Sequence, residues 1–204
     1  MFIAWPSWPR FVISVKFCAL FFIVFYSLFF ATDYLISLHD YRIHVYFDWE
    51  LKVPQITWMS LVYLSLSPLL LLTPFIIRDA DRFKCFFNIM IAETIIASVF
   101  FLILPMEVAY VYQEPSGVFA PLFILADAMN LTYNEAPSLH VAFAFTAAWA
   151  FSHNAKFRYR VLMFLWASLI AISTITTHQH HVFGVAFGML LAWLIVFLSV
   201  KNKG

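Results

Sequence analysis

Long apolar runs constrain this chain more than any other feature. They cover about 11–31, 56–77, 85–104, 139–154, 159–177 and 182–200, and none holds more than one Asp, Glu, Lys or Arg. A helix needs about 20 such residues to cross the hydrocarbon core of a bilayer. Only helices and closed barrels leave no backbone group unpaired there. Strands of a barrel would alternate in segments of about ten residues, and these runs do not alternate. The predicted fold is therefore an all-α integral membrane protein: one six-transmembrane-helix bundle over residues 1–204, with its active site at the outer end. Composition agrees, with 64% hydrophobic and 11% charged residues against about 25% charged in soluble domains. A net charge of +1 offers no basic surface to nucleic acid. The first run exceeds the roughly 7–15 apolar residues of a signal peptide and reads as a retained helix with Lys16 snorkelling to the interface. Cys18 and Cys85 read as buried free thiols.

Charge then orients the bundle. Arg10, Lys16, Arg78, Arg82, Lys84, Lys156, Arg158, Arg160, Lys201 and Lys203 all fall on one side of the predicted spans. By the positive-inside rule that side, with both termini, is cytoplasmic. The expected location is the plasma membrane, the inner membrane of a bacterium, with the site facing the periplasm or exterior. The outer side carries Asp33, Asp40, Asp48, Glu50, Glu107, Glu114, Asp127 and Glu135, a rim that repels anions and attracts cations. Residues 117–130 read as an amphipathic or re-entrant helix. Loop 33–53, with Tyr34, Tyr41, Tyr46, Phe47 and Trp49, reads as an interfacial anchor in preference to a cap over the outer mouth.

The candidate reactive residues share that outer side. His140 follows Pro137 and Ser138, and Ser138 is placed to cap the backbone N–H groups of a helix start, itself an anion-binding feature. His178, His180 and His181 lie at the turn between the last two spans. Histidines placed near hydrocarbon mark proton transfer, nucleophilic catalysis or metal ligation. Glu107 and Glu114 are two helical turns apart and share a face if the third helix continues. Glu93, in mid-span, is either functional or bonded to a neighbouring helix.

Pro137-Ser138-Leu139-His140 and the later Ser173-Thr174-Ile175-Thr176-Thr177-His178-Gln179-His180-His181 resemble two motifs of the type 2 phosphatidic acid phosphatase superfamily, nearest its bacterial branch around inositol phosphotransferases and inositol phosphorylceramide synthases. The resemblance implies a lipid phosphatase or phosphotransferase that needs no cofactor and acts on a lipid or lipid-linked substrate at the outer leaflet. It implies His180 as the nucleophile, His140 as the acid that protonates the leaving alcohol, and Ser138 as a phosphate ligand, with Thr174, His178 and His181 nearby. The chain departs from the pattern at Glu107 and Glu114-Pro115, where the family has Lys and Arg-Pro at the same interval. It departs again at Gly184, where the family has an aspartate that orients the nucleophile; Gly188 is kept. A carboxylate about 4 Å from a phosphate oxygen costs roughly 4 kcal/mol at an effective dielectric of 20. These reversals raise an alternative: a rewired lipid-modifying enzyme in which Glu107, Glu114, His140 and His180 hold a divalent zinc, iron or manganese ion, with Glu135, His178 and His181 in reserve. A third class is a non-catalytic lipid-binding protein on the same scaffold.

Overall fold

The structure, a computed structural model, describes residues 5–106, 108–153 and 155–201. The first apolar run becomes α1 (Trp8–Ser37), which starts with a proline in its first turn, where the missing N–H is not needed. The second run is not one helix. It is broken into α2 (Met59–Leu64), α3 (Leu66–Leu71) and α4 (Thr73–Ile76). Pro68 and Pro74 explain the breaks, because a proline ring clashes with the carbonyl four residues back, and α2 ends at that distance from Pro68. The hydroxyls of Ser65 and Thr73 donate to the carbonyls of Val62 and Leu70, each at 2.6 Å, and so satisfy groups at the breaks.

Next come α5 (Ala80–Ile103), α6 (Ala120–Met129), α7 (Leu139–Ser152), α8 (Phe157–Thr176) and α9 (Val182–Lys201). Asp79 caps α5 by accepting the Arg82 N–H at 2.8 Å. Among the described residues four helices, α1, α5, α8 and α9, are long and apolar enough to cross a membrane. The predicted span at 139–154 is the shorter α7, and 56–77 is the broken α2–α4 segment.

α7 is the centre of the bundle. It packs on α5, α8 and α9, and only three of its fourteen residues escape full burial. Its alanines at 142, 144, 147, 148 and 150 allow close approach, the usual basis of helix association where lipid is as apolar as the side chains. α1 lies along α5 and joins α7 through aromatic edges: Phe21 meets Phe87 at 5.9 Å and Phe143 at 5.5 Å between centroids. Glu93, fully buried on α5, accepts the Thr146 hydroxyl of α7 at 2.5 Å, which resolves it as an inter-helix bond.

The helix directions put two chemistries at opposite ends. At one, Arg10 donates to the Pro74 carbonyl and Arg82 to that of Ala150, each at 3.2 Å. The other holds the start of α7, the α8–α9 turn and the loops after α1 and α5.

Candidate active site

Five residues between α8 and α9 make the turn that carries the histidines. The Thr174 carbonyl accepts two N–H groups, from Gln179 at 2.9 Å and His180 at 3.1 Å. The Thr174 hydroxyl is turned back to the Ala171 carbonyl at 2.8 Å. Thr174 thus forms the turn and is fully buried. His178 accommodates the reversal with φ +60°, a left-handed conformation that a non-glycine residue seldom adopts.

His180 is held from the loop before α7. Its Nδ1–H donates to the Glu135 carbonyl at 2.8 Å, and the Glu135 carboxylate Oε2 lies 3.3 Å from the same nitrogen. With the proton on Nδ1, Nε2 keeps its lone pair, and no described residue bonds to it. The other carboxylate oxygen of Glu135 accepts the His181 N–H at 2.5 Å. His140, in the first turn of α7, stacks on Tyr63 of α2 with centroids 4.1 Å apart, and its Nδ1 is 3.1 Å from the Tyr63 hydroxyl. Its Nε2 is likewise unbonded among the described residues. Ser138 is fully buried and accepts the Val141 N–H at 3.4 Å, so it caps α7.

His181 has no nitrogen to spare. Nε2 accepts the Ala109 N–H at 3.1 Å, so Nδ1 carries the proton and donates to Glu50 Oε2 at 3.1 Å. Glu50 also accepts the N–H groups of Val182 and Phe47, at 2.8 and 2.9 Å. The loop after α1 therefore also clamps the start of α9. His178 donates Nε2–H to the Val53 carbonyl at 2.9 Å. Tyr46, His181, Tyr110 and His178 form one column of rings, with successive centroids 5.0, 4.3 and 4.2 Å apart. Burial pushes the His178 imidazole below its ordinary value; the Val53 carbonyl opposes this, and His181 adds to it. Burial, then Glu50 and Glu135, pushes the Tyr110 phenol up.

Two cavities meet at this end. The first, about 270 Å³, is walled by Phe21, Phe25 and Phe29 of α1, by Leu66, Leu70 and Phe143, and by His140 and His180. The second, about 230 Å³, is the more polar of the two, and Asp127, Asn130, His178 and Gln179 are among the residues that line it. Asn130 and Leu131 border both.

Among the described residues the predicted metal set is not brought together. α5 ends at Ile103 before Pro105, so no helical face carries the glutamates onward. Glu114 is exposed in an irregular segment and lines neither cavity, and Glu107 lies outside the described residues. Among the described residues no group of three or more His, Cys, Asp or Glu is placed to hold a metal ion. Sequence reasoning missed Tyr63, which reads as one more aromatic of an apolar run, and Glu50, which is 131 residues from its partner.

The order of motifs now has a geometric counterpart: two histidines from separate helix ends on one cavity. Comparisons with curated proteins and with solved structures return no significant match. A family model described as the PAP2 superfamily matches residues 38–198, from the clamp loop into α9. The chain belongs to the PAP2 superfamily, the type 2 phosphatidic acid phosphatases, and is a helical membrane protein of the phosphatase and phosphotransferase type.

Proposed function

We propose that the protein transfers the phosphoryl group of a lipid or lipid-linked substrate through His180, at the outer face of a plasma membrane with both termini cytoplasmic. One observation carries this reading: His140 and His180 line the same apolar cavity, and each has its Nδ1 engaged and its Nε2 unbonded. The phenyl wall takes the apolar chain and the histidines take the phosphate. Nε2 of neutral His180 attacks phosphorus, and the bond to the leaving alcohol breaks. That oxygen takes a proton from Nε2 of His140, which is protonated once the phosphate anion is bound beside it. Water or a hydroxyl acceptor, entering through the polar cavity, then gives its proton to His140 and displaces the phosphoryl group from His180. Splitting one displacement into two is the gain of a covalent intermediate. The Tyr63 hydroxyl can accept from or donate to His140 Nδ1, so it holds the ring in both states.

The described wall of this cavity contains no Lys or Arg. A phosphomonoester carries close to two charges at neutral pH, whereas a phosphodiester carries one. The wall suits the single charge better, which favours a phosphodiester donor.

The test is turnover of dioctanoyl phosphatidylglycerol and dioctanoyl phosphatidic acid by the purified protein, with His180→Ala and His140→Ala as controls. The expected result is turnover of at least one lipid, faster for the diester, and a loss of at least ~1000-fold in His180→Ala. Inertness of the wild type toward both, with lipid co-purifying, would mean a binding protein.

A further inference from the structure

We infer that Glu135 is the residue that positions His180, fixing its proton on Nδ1 and its lone pair on the cavity side, and that Gly184 is the residue that admits Glu135. The inference rests on His180 acting as the nucleophile.

Glu135 and His180 are each only 3% exposed. The Glu135 carbonyl accepts Nδ1–H at 2.8 Å, and the carboxylate backs it at 3.3 Å. Oε2 is buried and has no hydrogen-bond partner of its own, an expensive arrangement unless charge develops beside it. When Nε2 bonds to phosphorus, the ring keeps Nδ1–H and gains positive charge, and Oε2 is the nearest anion to receive it. His140 lines the same cavity, His181 is bonded to Glu135 and Glu50, and Asp127 accepts from the neighbouring Gln179.

Gly184 explains how the loop comes so close. A Cβ built at 184 would lie 2.8 Å from the Glu135 carbonyl oxygen and 3.4 Å from Oε1. The Ser138 N–H donates to the Gly184 carbonyl at 2.9 Å and ties the two segments together. The carboxylate therefore comes from the loop before α7, and α9 leaves the space for it.

Glu135→Gln tests this sharply. The His181 N–H requires an acceptor at the Oε1 position, so the new amide NH2 must take the place of Oε2. That replaces the anion beside Nδ1 with a neutral donor, while the Glu135 carbonyl at 2.8 Å still holds the proton on Nδ1. In protein labelled with 15N-histidine and held in detergent micelles, the His180 ring should read as Nδ1–H in the wild type and in both variants, which shows that the backbone contact is intact. On dioctanoyl phosphatidylglycerol the Gln variant should lose about 100-fold or more in kcat with KM within about twofold, and Glu135→Asp should recover part of it. An Nε2–H ring in the wild type, or wild-type kcat in folded Glu135→Gln, overturns the inference. If Glu135→Gln does not fold, Glu135→Asp alone decides: full wild-type kcat would overturn it, and a lower kcat at unchanged KM supports it. An Nδ1–H ring in a wild type that turns over no lipid supports the contact and removes the enzymatic reading instead.

Discussion

The Tyr63 hydroxyl reaches Nδ1 of His140 at 3.1 Å while the two rings lie 4.1 Å apart and 23° from parallel. A single residue of α2 thus fixes both the tilt and the rotation of the imidazole. Tyr63→Phe keeps the stack and deletes the bond. We expect kcat to fall by about 10- to 100-fold, the usual range for weakening one acid–base partner. Melting temperature should change little, and turnover assays beside thermal melts separate the two.

Gly188 packs against the start of α7. A methyl at 188 would lie 2.5 Å from the Ser138 carbonyl oxygen and 3.2 Å from the Val141 Cβ. Gly188→Ala should therefore cost about 1–3 kcal/mol through overpacking, read as a lower melting temperature in detergent. Wild-type thermal stability in this variant would mean that α9 lies farther from α7.

Gly184→Asp should not improve turnover. Its Cβ would meet the Glu135 backbone, and its carboxylate would sit beside another buried carboxylate. Both loss of stability and loss of turnover are expected, and a gain in kcat would contradict the packing described.

Glu50 is fully buried and accepts from three groups, His181 Nδ1–H, Val182 N–H and Phe47 N–H. Glu50→Ala leaves all three unpaired and should cost about 3 kcal/mol or more. Glu50→Gln, which keeps acceptor capacity, should cost less. Denaturation monitored by circular dichroism would show the ranking.

The His178 imidazole titrates lower in the fold than its ordinary 6.5, chiefly through burial. The unfolded chain therefore binds the proton first as pH falls. Its contribution to stability is present above about pH 6.5 and is lost below it. His178→Asn tolerates the positive φ and removes this titration. The fall in melting temperature between pH 7 and 5 should be shallower in the variant than in the wild type.

The histidine pair was legible in the chain because its motifs are local: His140 follows its capping serine by two residues, and His180 ends a short polar run. The partners were not. Glu50 sits in an aromatic loop with no motif around it, and only the return of that loop across the start of α9 gives it a role. Tyr63 is hidden in an apolar run whose hydropathy says nothing of a phenol on an imidazole. The prolines at 68, 74 and 105 did carry a local signal, since each interrupts or ends helix, and reading runs by hydropathy alone overrode it. That is why one span was expected where α2, α3 and α4 stand, and why Glu107 and Glu114 were expected on a common face. Glu135 was visible as an acidic residue, but its aim at His180 depends on the missing side chain at 184.

The phenyl wall of the apolar cavity is built by α1, through Phe21, Phe25 and Phe29, and α1 ends at Ser37, just before the segment that matches the family begins. In the proposed reading both histidines come from the matched segment, while six aromatic side chains of the cavity wall come from outside it. If a lipid chain fills this cavity, exchange of α1 alone should change which chain lengths it accepts while leaving His140 and His180 where they are.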